Sequence, residues 1–234
     1  MKAPAYRTAD QFLEELRQHG NTMDDATWVA VQNTLNALIA EDKLELYHSL
    51  NKKYEALNAI TPSVLGTGVL LQKKAYYFEM VENYADAVVY SQKAIDHFTP
   101  TRFKNHLSES LARLCGLYRR LSNVPEALKC AEQNLQLLES NKNTLPTAIA
   151  QQYFEMAKLL HDMEGRMEDA FHFVKAGIKI CKEYNIAEGM AFFLAYGGTL
   201  LNAQHQFDTS QTYLDQALDI AQKFNKKEIG RAHV

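Results

Sequence analysis

Glycine and proline are scarce in this chain, at 10 and 5 of 234 residues. A sandwich or barrel of short strands spends those residues on turns roughly every 8–12 positions, so a turn-rich β architecture is excluded. Cysteine is scarcer still: Cys115, Cys130 and Cys181 form no Cys-x-x-Cys pair and no cluster with histidine. That removes a disulfide framework and a zinc module. Each falls within a helical pattern and reads as a small, reduced core residue, which suits the cytoplasm. There is no excess of one charge. The formal net charge is -3 and is spread evenly, so no nucleic-acid partner is expected through this segment. No apolar run reaches the roughly 20 residues of a membrane span, and the start MKAPAYRTADQ lacks the apolar segment of a secretory signal. No Gly-rich phosphate loop and no H-E-x-x-H occur, and none of the 8 histidines stands at a recognised catalytic spacing. No catalytic residue, cofactor or metal is therefore expected, and the segment is not expected to be an enzyme.

What the chain does have is helical periodicity, and 47% hydrophobic residues with which to build a core. In the stretch LARLCGLYRRLSNVPEALKCAEQNL, apolar residues fall at Leu111, Leu114, Cys115 and Tyr118, then at Ala127, Leu128, Ala131 and Leu135. Steps of three, four and seven residues place side chains on one face of an α-helix. Ser122-Asn123 is the polar turn between the two helices, and small residues, Cys115 and Ala127, stand where the helices approach. The pattern recurs. Leu71, Ala75, Phe78, Tyr84, Ala87 and Ala94 form an upstream copy. Ala157, Leu160, Gly165, Ala170 and Gly177 form a downstream one, with one extra residue before its turn. Gly198, Leu201, Phe207, Ser210 and Ala217 form a fourth. The markers at 87, 127, 170 and 210 are 40, 43 and 40 residues apart.

This arrangement (a large apolar residue, Leu-small-x-x-Tyr, a turn, Ala-Leu, and a small or apolar residue seven on) resembles the tetratricopeptide (TPR) repeat. The steps are longer than the family's usual 34 residues or so. Ser91 replaces an aromatic, Asn134 replaces a small residue, and no copy has the family's Trp. The resemblance implies an all-α fold, a right-handed α-solenoid of antiparallel helical hairpins forming a TPR-like superhelix. It is expected to span 1–227 as one domain, with repeats at 24–60, 66–100, 105–140, 147–185 and 188–225. The first of these is a degenerate leading hairpin, with Trp28, Val31, Leu35, Leu38 and Ile39 on one helix face and Leu44, Leu46, Tyr47, Leu50, Tyr54 and Leu57 marking the next. Thr8 or Asp10 is expected to cap an earlier short helix running to Gln18 and stopped by Gly20, and Thr22 to open a near capping box with Asp25. Breaks at Ile60-Thr-Pro-Ser63, Thr99-Pro100-Thr101 and Asn143-Thr-Leu-Pro146 separate the hairpins. Gly197-Gly198 lies inside a helix and is expected to allow close packing.

Several side chains invite a functional reading. Glu14-Glu15, Asp24-Asp25 and Lys73-Lys74 are most simply solvated helix faces, and Tyr76, Tyr77 and Phe78 are most simply core. The family's groove lies on the inner faces of first helices, and the resemblance carries that groove to particular positions here. These are Gln72, Tyr76 and Glu79; then Ala112, Gly116, Arg119 and Arg120; then Gln151, Phe154, Lys158 and His161; then Thr199 and Asn202. In that concave groove Arg119 and Lys158 are expected to hold a carboxylate of a protein or peptide ligand, with Tyr76 and Phe154 giving stacking area. The helix of Tyr213, Leu214, Ala217, Leu218, Ile220 and Ala221 has no obvious successor and is expected to expose an apolar face, through which a homodimer could form.

The closing residues Ile229 to Val234, with Glu228 at the junction, match the translation of the start of a widely used sequencing adapter. They are read as adapter read-through, so the natural protein is expected to continue past Lys227 and neither Arg231 nor His233 is given a role. An extended TPR array of this kind resembles those preceding GGDEF diguanylate cyclase domains. The resemblance implies the N-terminal sensory or interaction module of a larger bacterial cytosolic signalling protein, with its output domain missing here. A TPR-type transcriptional regulator or peptide receptor, and a stand-alone adaptor, are the alternatives.

Overall fold

A computed structural model describes residues 24–141 and 144–232, with side chains to 223. The expectations placed on Thr8, Asp10, Glu14-Glu15, Gln18, Gly20 and Thr22 lie outside the described residues. Ten helices follow one another among the described residues: α1 Asp25–Ala40, α2 Leu44–Ile60, α3 Val64–Met80, α4 Tyr84–Phe98, α5 Lys104–Arg120, α6 Val124–Ser140, α7 Pro146–His161, α8 Met167–Glu183, α9 Ala187–Ala203 and α10 Phe207–Ala232. No strand occurs among the described residues. The backbone of α10 continues as helix past Glu228. Contacts divide the chain into two compact units, Met1–Leu117 and Tyr118–Val234.

The helix ends are written in the sequence. Asp24 caps α1: its carboxylate accepts the Thr27 N–H at 2.8 Å. Ser63 caps α3 through the Gly66 N–H at 3.1 Å. Asn83 and Asn123 cap α4 and α6, and Pro146 stands in the first turn of α7, where its missing N–H costs nothing. The turns between paired helices are shorter than glycine would make easy. Residues 41–43, 81–83, 121–123 and 204–206 each reverse the chain with a non-Gly residue in the left-handed region: Asp42, Glu82, Ser122 and His205 at φ 56–60°. In each, the next N–H reaches back five residues to a helix carbonyl, as from Asn83 to Phe78 and from Gln206 to Leu201, closing the C-terminus. The α7–α8 connection, residues 162–166, is longer and uses Gly165 at φ 74°.

In the first unit α1 packs on α2 and α3, and α3 packs on α4. Trp28, Val31, Leu35, Leu38 and Ile39 are all buried, as their spacing predicts. The face of α2 is narrower than expected. Tyr47, Asn51, Tyr54 and Leu57 are buried, whereas Leu46 is 50% exposed because it lies a residue off that stripe. Gly66 lies against the Trp28 indole and Gly68 against the Phe98 ring, so close that a Cβ on either would overlap the ring. In the second unit α7 pairs with α8 and α9 with α10, and α9 also packs on α8 and α7. The small residues chosen by spacing are where helices meet: Ala127 and Ala170 are fully buried, and Ser210 is bonded to the Gly198 carbonyl at 2.8 Å. Gly177 lies under the Phe193 ring, and a Cβ on Gly197 or Gly198 would meet Tyr213 and Val174, or Leu214. All three cysteines are buried, in α5, α6 and α8, and burial raises the Cys130 thiol to about 11.

Candidate functional site

The first helices of successive pairs are α1, α3, α5, α7 and α9, and polar side chains tie each to the next within its unit. In the first unit Lys73 Nζ donates to Asn36 Oδ1 at 2.5 Å, 37 residues away. Arg113 donates to Glu79 at 2.5 Å, 34 residues away. In the second, Arg119 donates to Glu155 at 2.9 Å over 36 residues, and His161 Nδ1 meets the Tyr196 hydroxyl at 2.9 Å over 35. One link recurs at near-constant separation because each hairpin presents the same helix face.

This corrects the reading of Lys73-Lys74 as a solvated face. Lys74 does reach solvent, paired with Glu55 at 3.0 Å. Lys73 is 1% exposed. Its own carbonyl accepts the Tyr47 hydroxyl at 2.5 Å. Burial pushes its ammonium down to about 8, with Glu109 opposing and Arg113 adding to the shift. Asp24-Asp25 does reach solvent: Asp24 is exposed at its cap, and Asp25, 47% exposed, pairs with Arg102 at 2.6 Å.

The sequence-derived groove residues divide by unit. In the first, Gln72 is buried, and its amide donates to the His106 carbonyl and Ser110 hydroxyl at 2.8 and 2.9 Å. It joins α3 to α5 rather than facing solvent. Tyr76 is half-buried beneath the Arg113 guanidinium, 4.4 Å from its ring centroid, and Glu79 holds the same arginine. Tyr77 stacks on Tyr47, and Phe78 on Tyr90. Ala112 is exposed and Gly116 half-buried.

In the second unit Glu155 accepts from Arg119 and also from Lys158, the latter at 2.5 Å. The Lys158 ammonium stands 5.0 Å from the Phe154 ring centroid, and Phe154 meets Tyr196 edge-on at 5.3 Å. Arg119, Phe154, Lys158 and His161 are thus brought together, with Glu155 and Tyr196 completing the set. Burial, helped by Asp162 and Glu155, raises the Tyr196 phenol to about 12, so it stays a hydrogen-bond donor at neutral pH. Arg120, Gln151, Thr199 and Asn202 are exposed and outside this set.

Arg113, Glu155 and Tyr196 were absent from the sequence-derived list. Arg113 and Glu155 directly follow the expected residues Ala112 and Phe154. One residue turns the helix by about 100°, from the solvent side to the flank against the preceding first helix. A signal for them exists: a long polar side chain stands three residues before the expected position in all four copies, at Lys73, Arg113, Glu155 and Tyr196.

The second-unit set presents two cations around one carboxylate beside two aromatic rings and an imidazole. Hydrogen bonds to charged groups contribute about 1.5–3 kcal/mol when buried, but exposed pairs contribute about 1 kcal/mol or less. The side chains of Arg119, Glu155 and Lys158 are 33%, 30% and 25% exposed. Glu155 therefore lies between those two cases, part-solvated and shared by two cations. No group of His, Cys, Asp and Glu that could hold a metal occurs among the described residues. Nor is any described helix long and apolar enough to cross a membrane.

No protein-family model matches the chain, and no curated protein does. Solved structures do. BtubC (BKLC) from P. vanneervenii is similar at TM-score 0.78 and 12% identity, over 93% of this chain and 89% of that one. A putative kinesin light chain of nearly identical TPR-like repeats from Podosopora anserina is similar at TM-score 0.67 and 16% identity, over 82% and 94%. A Rap protein complexed with competence and sporulation factor is similar at TM-score 0.64 and 12% identity, over 94% and 61%. At these identities the likeness shows the fold: an all-α solenoid of TPR-like helical hairpins.

Proposed function

We propose that the chain is a protein- or peptide-binding scaffold that captures its ligand on the inner faces of first helices. The observation that carries this reading is the Arg119–Glu155–Lys158 cluster beside Phe154 and Tyr196. It offers an exchangeable anion position next to aromatic area, the combination that recognises a carboxylate-bearing peptide. The similar Rap protein complexed with a factor supports a fold able to hold a partner. The segment binds rather than catalyses. In the finer reading, it is the cytoplasmic N-terminal sensory module of a bacterial signalling protein whose output domain, a GGDEF diguanylate cyclase, lies outside this sequence; the repeat resemblance alone supports that part. The test is selection from a peptide library with free C-terminal carboxylates, using the protein and its Arg119→Glu/Lys158→Glu variant. Acidic or C-terminal carboxylate peptides should be retained by the first and lost by the second. Equal retention by both rejects the site.

A further inference from the structure

The second unit also holds a polar cleft of about 400 Å³ that the Arg119–Glu155–Lys158 cluster does not touch. One wall is α8, where Glu168, Phe171, His172 and Lys175 follow at steps of three, one and three and so share a helix face. The facing wall is Leu201 near the end of α9 and the turn residues Gln204 and Gln206. Both walls are fixed. Phe171 packs on Tyr213 of α10 with ring centroids 5.9 Å apart, and Leu201 is 2% exposed. The turn is held by His205 at φ 60° and by the Gln206 N–H on the Leu201 carbonyl at 2.9 Å. The charged groups of the cleft are unspent. Arg166 and Asp169 beside it satisfy one another, but among the described residues neither Glu168 nor Lys175 forms an ion pair. Lys175 lies over Phe171, its ammonium 4.7 Å from the ring centroid. Phe171 stands three residues from Glu168, so cation and anion are set about one turn, roughly 5 Å, apart along α8. The Gln204 and Gln206 carboxamides meet only each other, at 3.4 Å.

We propose that this cleft binds a short zwitterionic peptide of dipeptide size, with its carboxylate at Lys175 and its ammonium at Glu168. The charge of the ligand follows from the pair. A purely anionic ligand would be repelled by Glu168 and a purely cationic one by Lys175, while a neutral one would cover both charges without replacing their water. The length follows from the spacing. An extended dipeptide holds its charged ends about 5–7 Å apart, whereas a single amino acid holds them within about 3 Å and cannot reach both groups. Each glutamine carboxamide offers a donor and an acceptor for the peptide unit between the two ends. Phe171 and Leu201 supply apolar contact, and the volume is in the range of small-ligand sites.

Isothermal titration calorimetry of the whole chain with alanyl-alanine tests this. The dipeptide should bind. N-acetylation removes its ammonium and C-terminal amidation its carboxylate, and each should weaken binding by at least about fivefold, the effect of one part-solvated ion pair. Alanine alone should bind no better than those derivatives. Glu168→Lys and Lys175→Glu should each weaken alanyl-alanine by more than the loss of one charge does. Both side chains are exposed, so each variant should keep the parent's helical circular dichroism. No binding of alanyl-alanine overturns the proposal, as does equal binding of its acetylated or amidated form. Binding that survives both Glu168→Lys and Lys175→Glu also overturns it, because the dipeptide then sits elsewhere, such as at Arg119 and Lys158.

Discussion

Replacing Gly177 and Gly116 by alanine makes one chemical change at two helix interiors, and the structure gives the two opposite signs. In a solvated helix, alanine is favoured over glycine by about 1 kcal/mol, because the glycine backbone loses more freedom on folding. At Gly116 in α5 a Cβ would meet nothing within 4 Å. Nothing opposes the propensity gain there, so Gly116→Ala should stabilise by up to about 1 kcal/mol. At Gly177 in α8 the Cβ would overlap three atoms of the Phe193 ring. That ring is 2% exposed and cannot swing away. Alanine would have to push α9 off α8, and overpacking of this kind costs about 1–3 kcal/mol. The clash outweighs the propensity gain, for a net loss of up to about 2 kcal/mol. Urea denaturation followed by helical circular dichroism reads both variants. For a chain of this size 1 kcal/mol also moves the thermal midpoint by roughly 2–4 °C. A Gly177→Ala protein as stable as the parent, or a destabilised Gly116→Ala protein, would refute the packing argument.

Two further outcomes follow from local geometry. Glu82 and His205 hold φ near 60°, a conformation that costs a side chain about 1–2 kcal/mol and glycine almost nothing. Glu82→Gly and His205→Gly should each stabilise by about 0.5–1 kcal/mol in the same denaturation assay, after glycine's extra folding entropy is set against the relief. Gly165→Ala, at φ 74°, should go the other way. Lys73 makes a pH-dependent contribution. Its folded pKa of about 8 lies below the ordinary 10.5, so between those values the unfolded chain holds the extra proton and stability rises with pH. The slope approaches about 1.4 kcal/mol per pH unit. Above pH 10 the buried Tyr47, whose phenol is raised, works in the opposite sense. Denaturation between pH 7 and pH 10 should show the rise in the parent and not in Lys73→Met, which should also be the more stable protein at pH 7.

The hairpin phase was legible because it rests on local facts. Ala87, Ala127, Ala170 and Ser210 each stand in the fourth position of a second helix and are buried there, and a small residue at fixed phase can be read from spacing alone. Trp28, Val31 and Leu35 were legible for the same reason. Lys73 was not, because its burial depends on Asn36 and Tyr47, contributed by two other helices. The left-handed turn residues were hidden because four unlike side chains, Asp42, Glu82, Ser122 and His205, do the work usually given to glycine. In the candidate site, Arg119, Phe154, Lys158 and His161 could be placed from the repeat register, whereas Glu155, which joins the two cations, sits one residue aside. Spacing gives the face of a helix. Which flank of it meets the neighbouring helix depends on how the two are packed.

The central claim is that ligand is held on first helices, and amide hydrogen exchange with a selected carboxylate peptide tests it most directly. Protection should increase on α7 around Phe154 to His161 and on α9 around Tyr196, and should vanish in Arg119→Glu/Lys158→Glu. Protection confined to the second helices α8 and α10, with the first helices unchanged, would contradict the account.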